Sequence, residues 1–203
     1  MPRIAFLLQM LFLSLVLAAG AVRADDIEVR DAELRLSEDG LALNADFAFE
    51  LSTRLAEAVA NGIPLYFVVE FELIRPRWYW FDEKTLSRRM QVRLSYHPLS
   101  RQYRLSTGLL QQSFPSLKEA LGVLSGVRNW LVADRSVVLS DAEYDAAVRM
   151  YLDRTLLPKP FQLSALTNSE WQLESPWRRF AFRMGQQIPA PVESREPKRV
   201  EPR

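Results

Sequence analysis

The sequence predicts a mainly β protein, folded as an antiparallel β-sandwich with one or two short α-helices in the connections between strands. The form of sandwich we consider is the immunoglobulin-like one. Within the stretch 63–80, residues 65–74 alternate with the period of two that a strand requires, and further alternating runs lie on both sides of this stretch. With 203 residues, 48% of them hydrophobic, the chain also has the apolar material for one core.

The first 24 residues are predicted to be a cleaved signal peptide. A short basic start ending at Arg3 precedes an apolar run over residues 4–19, and Val22 and Ala24 supply small side chains before the cleavage site. The run is shorter than the ~20 residues of a typical membrane span, so an uncleaved inner-membrane anchor is the weaker alternative. We therefore expect a periplasmic protein without a stable membrane span after cleavage.

Composition excludes several classes of chemistry. The chain contains no cysteine, which rules out disulfides, a lipid attached through an N-terminal cysteine, thiol catalysis and cysteine-based metal sites. The formal net charge is +1, and loss of Arg3 and Arg23 with the signal peptide takes it to −1. The total charge therefore indicates no particular partner.

A β-hairpin and a short helix are predicted at the start of the domain. Residues 27–37 alternate with a change of phase near Asp31, which indicates a β-bulge or a change of sheet. Gly40 completes a turn, and residues 41–49 return as the second strand. Residues 52–61 then change to helical spacing, with a serine to cap the start and Asn-Gly to end the helix.

Residues 63–75 are predicted to form an interior strand, which Pro76 interrupts before an aromatic cluster at residues 78–81. The odd positions from Leu65 to Leu73 make one fully apolar face, while the other face includes Glu70 and Glu72. Because the second face is itself half apolar, the strand is expected to have neighbours on both edges.

The second half of the chain has weaker patterns. Residues 90–105 predict a second hairpin, and residues 116–127 predict an amphipathic helix that runs toward Trp130, starting with a capping box. Residues 140–153 fit the period of a helix as well as that of a strand.

The C-terminal part divides into a last strand and a tail. Aromatic side chains at the alternate positions 180 and 182 predict a closing strand, with packing as the reason for the aromatic cluster that starts at Trp171. Residues 185–203 are rich in proline and charge and are predicted to be disordered. Residues 25–184 are thus expected to form a single β-sandwich domain.

A distinctive segment near the C-terminus consists of LPKPFQ at residues 157–162, followed by Ala-Leu-Thr at 165–167, Trp171 and Trp177. It resembles the signature of an exported proteobacterial family known as domain of unknown function 4390, and the resemblance covers about residues 25–182. It implies an envelope accessory role linked to a membrane histidine kinase two-component system, because genes for such a kinase and its response regulator lie beside the genes of family members. It implies no activity or cofactor, and it favours a strand immediately before the motif.

The prolines of this segment have a physical interpretation that needs no function. Pro158 and Pro160 restrict the residues before them, which predicts an extended backbone at Leu157 and Lys159 and suits a sheet edge or a crossover.

No catalytic, cofactor-binding or metal-ligating residue is predicted. His97 is the one histidine and precedes Pro98, so we interpret it as part of a turn. Glu70 and Glu72 share a strand face about 6.6 Å apart, and two carboxylates are what a glycosidase requires. An envelope glycan hydrolase is therefore the alternative function, although alternating acids on an outer strand face are usually solvated.

Residues 75–104 supply the best candidate for a partner-binding surface. They contain eight basic and two acidic residues with aromatic side chains between them. Export argues against nucleic acid, whereas an envelope protein, an anionic glycan or a lipid head group fits arginine and tryptophan. The alternative is that the aromatic residues are core and that the arginines pair with Glu70 and Glu72. The candidate surface comprises Arg75, Arg77, Trp78, Trp80, Arg88, Arg89 and Arg93.

Together these observations predict a non-enzymatic periplasmic accessory or interaction protein of the cell envelope, and they leave its oligomeric state open.

Overall fold

The computed structural model describes residues 27–75, 83–134, 136 and 143–183, and these residues form two antiparallel sheets. The strands are β1 (Glu28–Leu36), β2 (Gly40–Ala48), β3 (Leu65–Arg75), β4 (Glu83–His97), β5 (Gln102–Thr107), β6 (Leu110–Phe114), β7 (Gly126–Asp134), β8 (Glu143–Leu152) and β9 (Arg178–Arg183). The helices in these ranges are α1 (Thr53–Ala60), α2 (Leu117–Leu124) and α3 (Lys159–Thr167). The predicted signal peptide and tail lie outside the described residues.

One sheet has the strand order β1-β2-β7 and the other has the order β6-β5-β4-β3-β8-β9. Their inner faces share one apolar core, to which Leu43 and Phe47 of β2 and Phe67 and Phe71 of β3 contribute buried side chains. The prediction of a mainly β, antiparallel sandwich is confirmed, whereas its immunoglobulin-like form stays a prediction. No helix in the described ranges is long and apolar enough to cross a membrane.

Strand β3 lies in the interior of the larger sheet, as its sequence predicts. It pairs with β4 on one edge and with β8 on the other. Its odd positions from Leu65 to Leu73 are no more than 1% exposed. Burying side chains of this size stabilises a protein by about 1.5–3 kcal/mol each, so this face is a major part of the core.

The first hairpin has the predicted irregularity and a tightly enclosed glycine. The register of β1 on β2 shifts between Val29 and Asp31, which confirms the change of phase in the sequence as a β-bulge. Gly40 has a φ of +143°, and a Cβ atom at this position would lie 2.2 Å from the Ala133 carbonyl oxygen of β7. Only glycine fits where β2 meets β7 in this way.

The first two helices begin as predicted, but the second ends earlier. Ser52 caps α1 by accepting a hydrogen bond from the backbone N–H of Leu55. Ser116 caps α2 by accepting a hydrogen bond from the backbone N–H of Glu119, but this helix ends at Leu124 and β7 starts two residues later. The predicted continuation through Val127 toward Trp130 is therefore wrong. Both residues lie in β7, where they pair with β2 and contact the core.

The Pro-Lys-Pro segment starts a helix, contrary to the extended backbone predicted for Lys159. Leu157 is extended, with ψ of 151°, but Lys159 and Pro160 form the first turn of α3. A proline is tolerated there because the first helical N–H groups have no intrahelical acceptor. The ambiguous residues 140–153 contain the strand β8, and the predicted closing strand is β9. Strand β6 and helix α3 were not predicted.

Candidate partner-binding face

Strand alternation divides the predicted surface between the two faces of the six-stranded sheet. Arg88 lies opposite the buried Phe71, and Arg75 has the same parity along β3, so both lie on the face that packs against the core. Arg88 is nonetheless exposed. Three further residues of the predicted surface lie outside the described residues, namely Arg77, Trp78 and Trp80.

The opposite, outer face of this sheet carries basic side chains on β4 and β5, and uncharged polar ones on β6. Arg89 and Arg93 of β4 are both exposed, and Arg104 of β5 lies opposite Ser95 on the same face. The chain has no aspartate or glutamate between Leu86 and Lys118. We call the outer-face side chains of residues 86–114 the basic face.

Glu70 of β3 lies on the outer face of the sheet, directly beside the basic face. It is buried, contrary to the solvated position predicted for it. Its side chain is 3% exposed and lies between Arg89 on β4 and Arg149 on β8, each directly opposite in the register. Arg89 donates to Oε1 of Glu70, while Nε and Nη2 of Arg149 lie 2.7 and 2.5 Å from Oε2. One carboxylate thus connects three adjacent strands.

The two arginines determine the ionisation of Glu70. Burial alone would raise the pKa of this carboxyl, but hydrogen bonds and charge from Arg149 and Arg89 outweigh burial and hold the pKa below its ordinary value of 4.5. The group is therefore ionised at neutral pH. The predicted pairing of outer-face arginines with this carboxylate is confirmed for Arg89.

Arg149 is held by aromatic rings as well as by Glu70. Its guanidinium carbon lies 5.1 Å from the ring centre of Tyr151 and 4.6 Å from that of Trp177. Such cation–π contacts fix the orientation of a charged group that is still 33% exposed. A further pair of this kind on the outer face joins Arg93 to Tyr66, with a distance of 6.0 Å.

Arg149, Tyr151 and Trp177 were not predicted to belong to this site. Once residues 143–152 are treated as a strand, their even positions hold apolar side chains, whereas their odd positions include all of the charged ones, Glu143, Asp145 and Arg149. That alternation could have placed Arg149 on an outer face. It could not have placed it next to Glu70, because local sequence does not determine which strand pairs with β3.

A shallow cavity of about 300 Å³ lies at the end of β8, beside Arg149 and Tyr151. Asp153, Arg154 and Glu174 are also among its lining residues, so positive and negative groups are mixed there. Glu70 and Glu72 do not line it. The two carboxylates of the hydrolase hypothesis therefore lie on a sheet face rather than in this cleft.

His97 lies at the turn between β4 and β5, as predicted. Its Nδ1 atom is 3.1 Å from the hydroxyl of Ser100 and 3.3 Å from the backbone nitrogen of that residue. Within the part of the chain that the structure describes, no three histidine, aspartate or glutamate side chains come together as a metal site.

In the comparison with known families, residues 24–181 match the model of a family described as a domain of unknown function (DUF4390). The comparisons with curated proteins and with solved structures find no match.

Proposed function

The chain belongs to the DUF4390 family, and we propose that it is an exported, non-enzymatic interaction protein of the cell envelope that binds an acidic protein through its basic face. The family description assigns no activity, so the proposal depends on the site itself. It is supported chiefly by the absence of aspartate and glutamate among residues 87–117, which include the basic face, and by Glu70 of the neighbouring strand β3 being already bound by two arginines.

Arginines without an acidic neighbour on their own face are suited to an acidic partner. Arg93 and Arg104 have guanidinium groups that can bind a carboxylate through two parallel hydrogen bonds. The Nε atom of Arg104 is buried and has no hydrogen-bond partner among the described residues, so a partner carboxylate would bind the terminal nitrogens of this side chain.

A protein partner fits the shape of this surface better than a small ligand does. The basic face is the outer surface of three adjacent sheet strands, whereas small molecules bind in concave pockets. Arginine, tyrosine and tryptophan are also the residues that contribute most binding energy in protein interfaces. Tyr66 and Trp177, each stacked with an arginine, supply such groups beside the basic face.

Export is part of the proposal. The basic start, apolar run and small residues of the first 24 positions support cleavage after Ala24 and release into the periplasm. In that compartment, the external region of a membrane sensor kinase is the first partner to test, because the family resemblance suggests that association.

The proposal can be tested by site-specific photo-crosslinking in living cells. A photoreactive amino acid at Gln91, which is exposed on the basic face, should give a discrete crosslinked product that mass spectrometry identifies as an envelope protein. The same amino acid at Glu38, an exposed turn residue of the other sheet, is the control. No product from Gln91, or the same product from both positions, would contradict the proposal.

The alternative of a glycan hydrolase has less support. A catalytic acid needs a raised pKa, whereas that of Glu70 is lowered and its oxygens are occupied by arginine donors. That alternative predicts turnover of peptidoglycan fragments by the wild-type protein and its loss in Glu70→Gln. We expect no turnover by either protein.

A further inference from the structure

Strand β6 is the one sheet edge in the described structure that carries no charged residue. The other three edges are β1, β7 and β9, and each includes arginines: Arg30 and Arg35, Arg128, and Arg178, Arg179 and Arg183. Charges on an edge strand hinder its pairing with another chain and are one of the devices by which native proteins protect such edges. The sequence of β6, Leu-Gln-Gln-Ser-Phe, lacks this protection.

The free side of β6 is also accessible. The strand pairs with β5 on one side, and among the described residues no hydrogen bond reaches its other side. Residues 110–113 are exposed, and Leu110 alone is 76% exposed. A large apolar side chain and unpaired backbone groups are therefore open to a partner at the same edge.

The side chains of β6 are self-complementary about Gln112. The register with β5 places Leu110, Gln112 and Phe114 on the core side of the sheet, and Gln111 and Ser113 on the outer side. If two β6 strands pair antiparallel around Gln112, Leu110 of each copy lies opposite Phe114 of the other. Gln111 then lies opposite Ser113, and each side chain meets one of its own kind.

We propose that two copies of this chain form a symmetric dimer in which their β6 strands pair antiparallel, with the twofold axis at Gln112. The pairing satisfies the free backbone groups of both edges and removes both copies of Leu110 from water. It joins the six-stranded sheets of the two copies into one continuous sheet. The two basic faces then lie on the same side, which would let the dimer bind two acidic sites together.

Charge substitutions at the axis test this arrangement. In the dimer the two Gln112 side chains face each other at about 5 Å between Cβ atoms, so like charges there repel. We expect wild-type protein to sediment as a dimer, and Gln112→Lys and Gln112→Glu each to sediment as monomers. An equimolar mixture of the two variants should restore the dimer, because lysine then faces glutamate. Gln91→Lys, an exposed change on the interior strand β4, is the control and should remain a dimer.

Three results would overturn the proposal: wild-type protein that is monomeric at every concentration, a Gln112→Lys variant that remains dimeric, or a mixture that stays monomeric. Thermal unfolding of each variant shows whether it is folded, and since Gln112 is exposed we expect unchanged melting temperatures for the monomers. The experiment does not depend on the proposed acidic partner, because only the purified protein is present. Failure of either proposal can thus be recognised separately.

Discussion

Glu70 is the residue that joins the core of this protein to its exposed basic face. Burying a carboxylate is costly unless it is paired, and here Arg89 and Arg149 pair with it from the two neighbouring strands. The same contacts fix both arginines at the surface. The residue therefore explains how a mostly apolar strand can border a surface rich in positive charge.

Replacing Glu70 should show how much this pairing contributes to stability. Glu70→Gln removes the charge that both arginines bind, and hydrogen bonds to charged groups contribute about 1.5–3 kcal/mol, so we expect a loss of that size in the free energy of unfolding by urea. Glu143→Gln removes the partner of Arg183 in an exposed ion pair of the same sheet and should cost less than about 1 kcal/mol. Equal losses would show that the burial of Glu70 has no special effect.

The lowered pKa of Glu70 predicts how stability depends on pH. A carboxyl whose pKa is lower in the folded than in the unfolded protein stabilises the fold above the unfolded value, here near 4.5, and this contribution is lost as the pH falls through the folded value. The melting temperature of the wild-type protein should therefore fall more steeply below about pH 4.5 than that of Glu70→Gln. Parallel curves for the two proteins would contradict the assignment.

At the scale of single elements, the spacing of apolar residues predicted the secondary structure correctly where the pattern fitted only one type of element. The run from Leu65 to Leu73 fits a strand and no helix, and β3 is that strand. Residues 117–127 fit a helix throughout, yet Gly126 begins a strand because pairing with β2 also buries Val127. The local sequence indicates which side chains prefer burial, but it does not determine whether they are buried by forming a helix or by pairing as a strand.

The enclosure of Gly40 gives a test at this scale. In Gly40→Ala the new methyl group would collide with the Ala133 carbonyl, and the positive φ is unfavourable for alanine, so we expect a loss of at least about 1–3 kcal/mol in unfolding free energy. Gly122→Ala is the matched control. It lies inside α2 with no atom within 4 Å of the new Cβ, and should stabilise by about 0.5–1 kcal/mol. A neutral Gly40→Ala would contradict the close approach of β2 and β7.

For the whole molecule, the sequence predicted a two-sheet architecture but not the order of the strands. Of the candidate surface, Arg89 and Arg93 share the outer face, whereas Arg88 lies on the opposite one. Arg149 comes from β8, which is distant in the chain and adjacent in the sheet. Long-range pairing of this kind depends on how all strands pack together, so no single segment specifies it.

Export is a second property of the whole molecule. If the first 24 residues are a signal peptide, protein recovered from the periplasm should begin at Asp25. N-terminal sequencing or intact mass measurement tests this directly. Recovery of the uncleaved chain from the membrane fraction would instead favour the inner-membrane anchor.

The most direct test of the central claim compares two arginines of one strand. Arg93→Glu reverses a charge on the basic face, while Arg88→Glu makes the same change on the opposite face of β4, and both positions are exposed. With the partner found from Gln91, we expect Arg93→Glu to reduce capture at least tenfold, as loss of a buried charge pair at an interface would. Arg88→Glu should bind as the wild type does. Equal binding by both variants, or a loss confined to Arg88→Glu, would contradict the account.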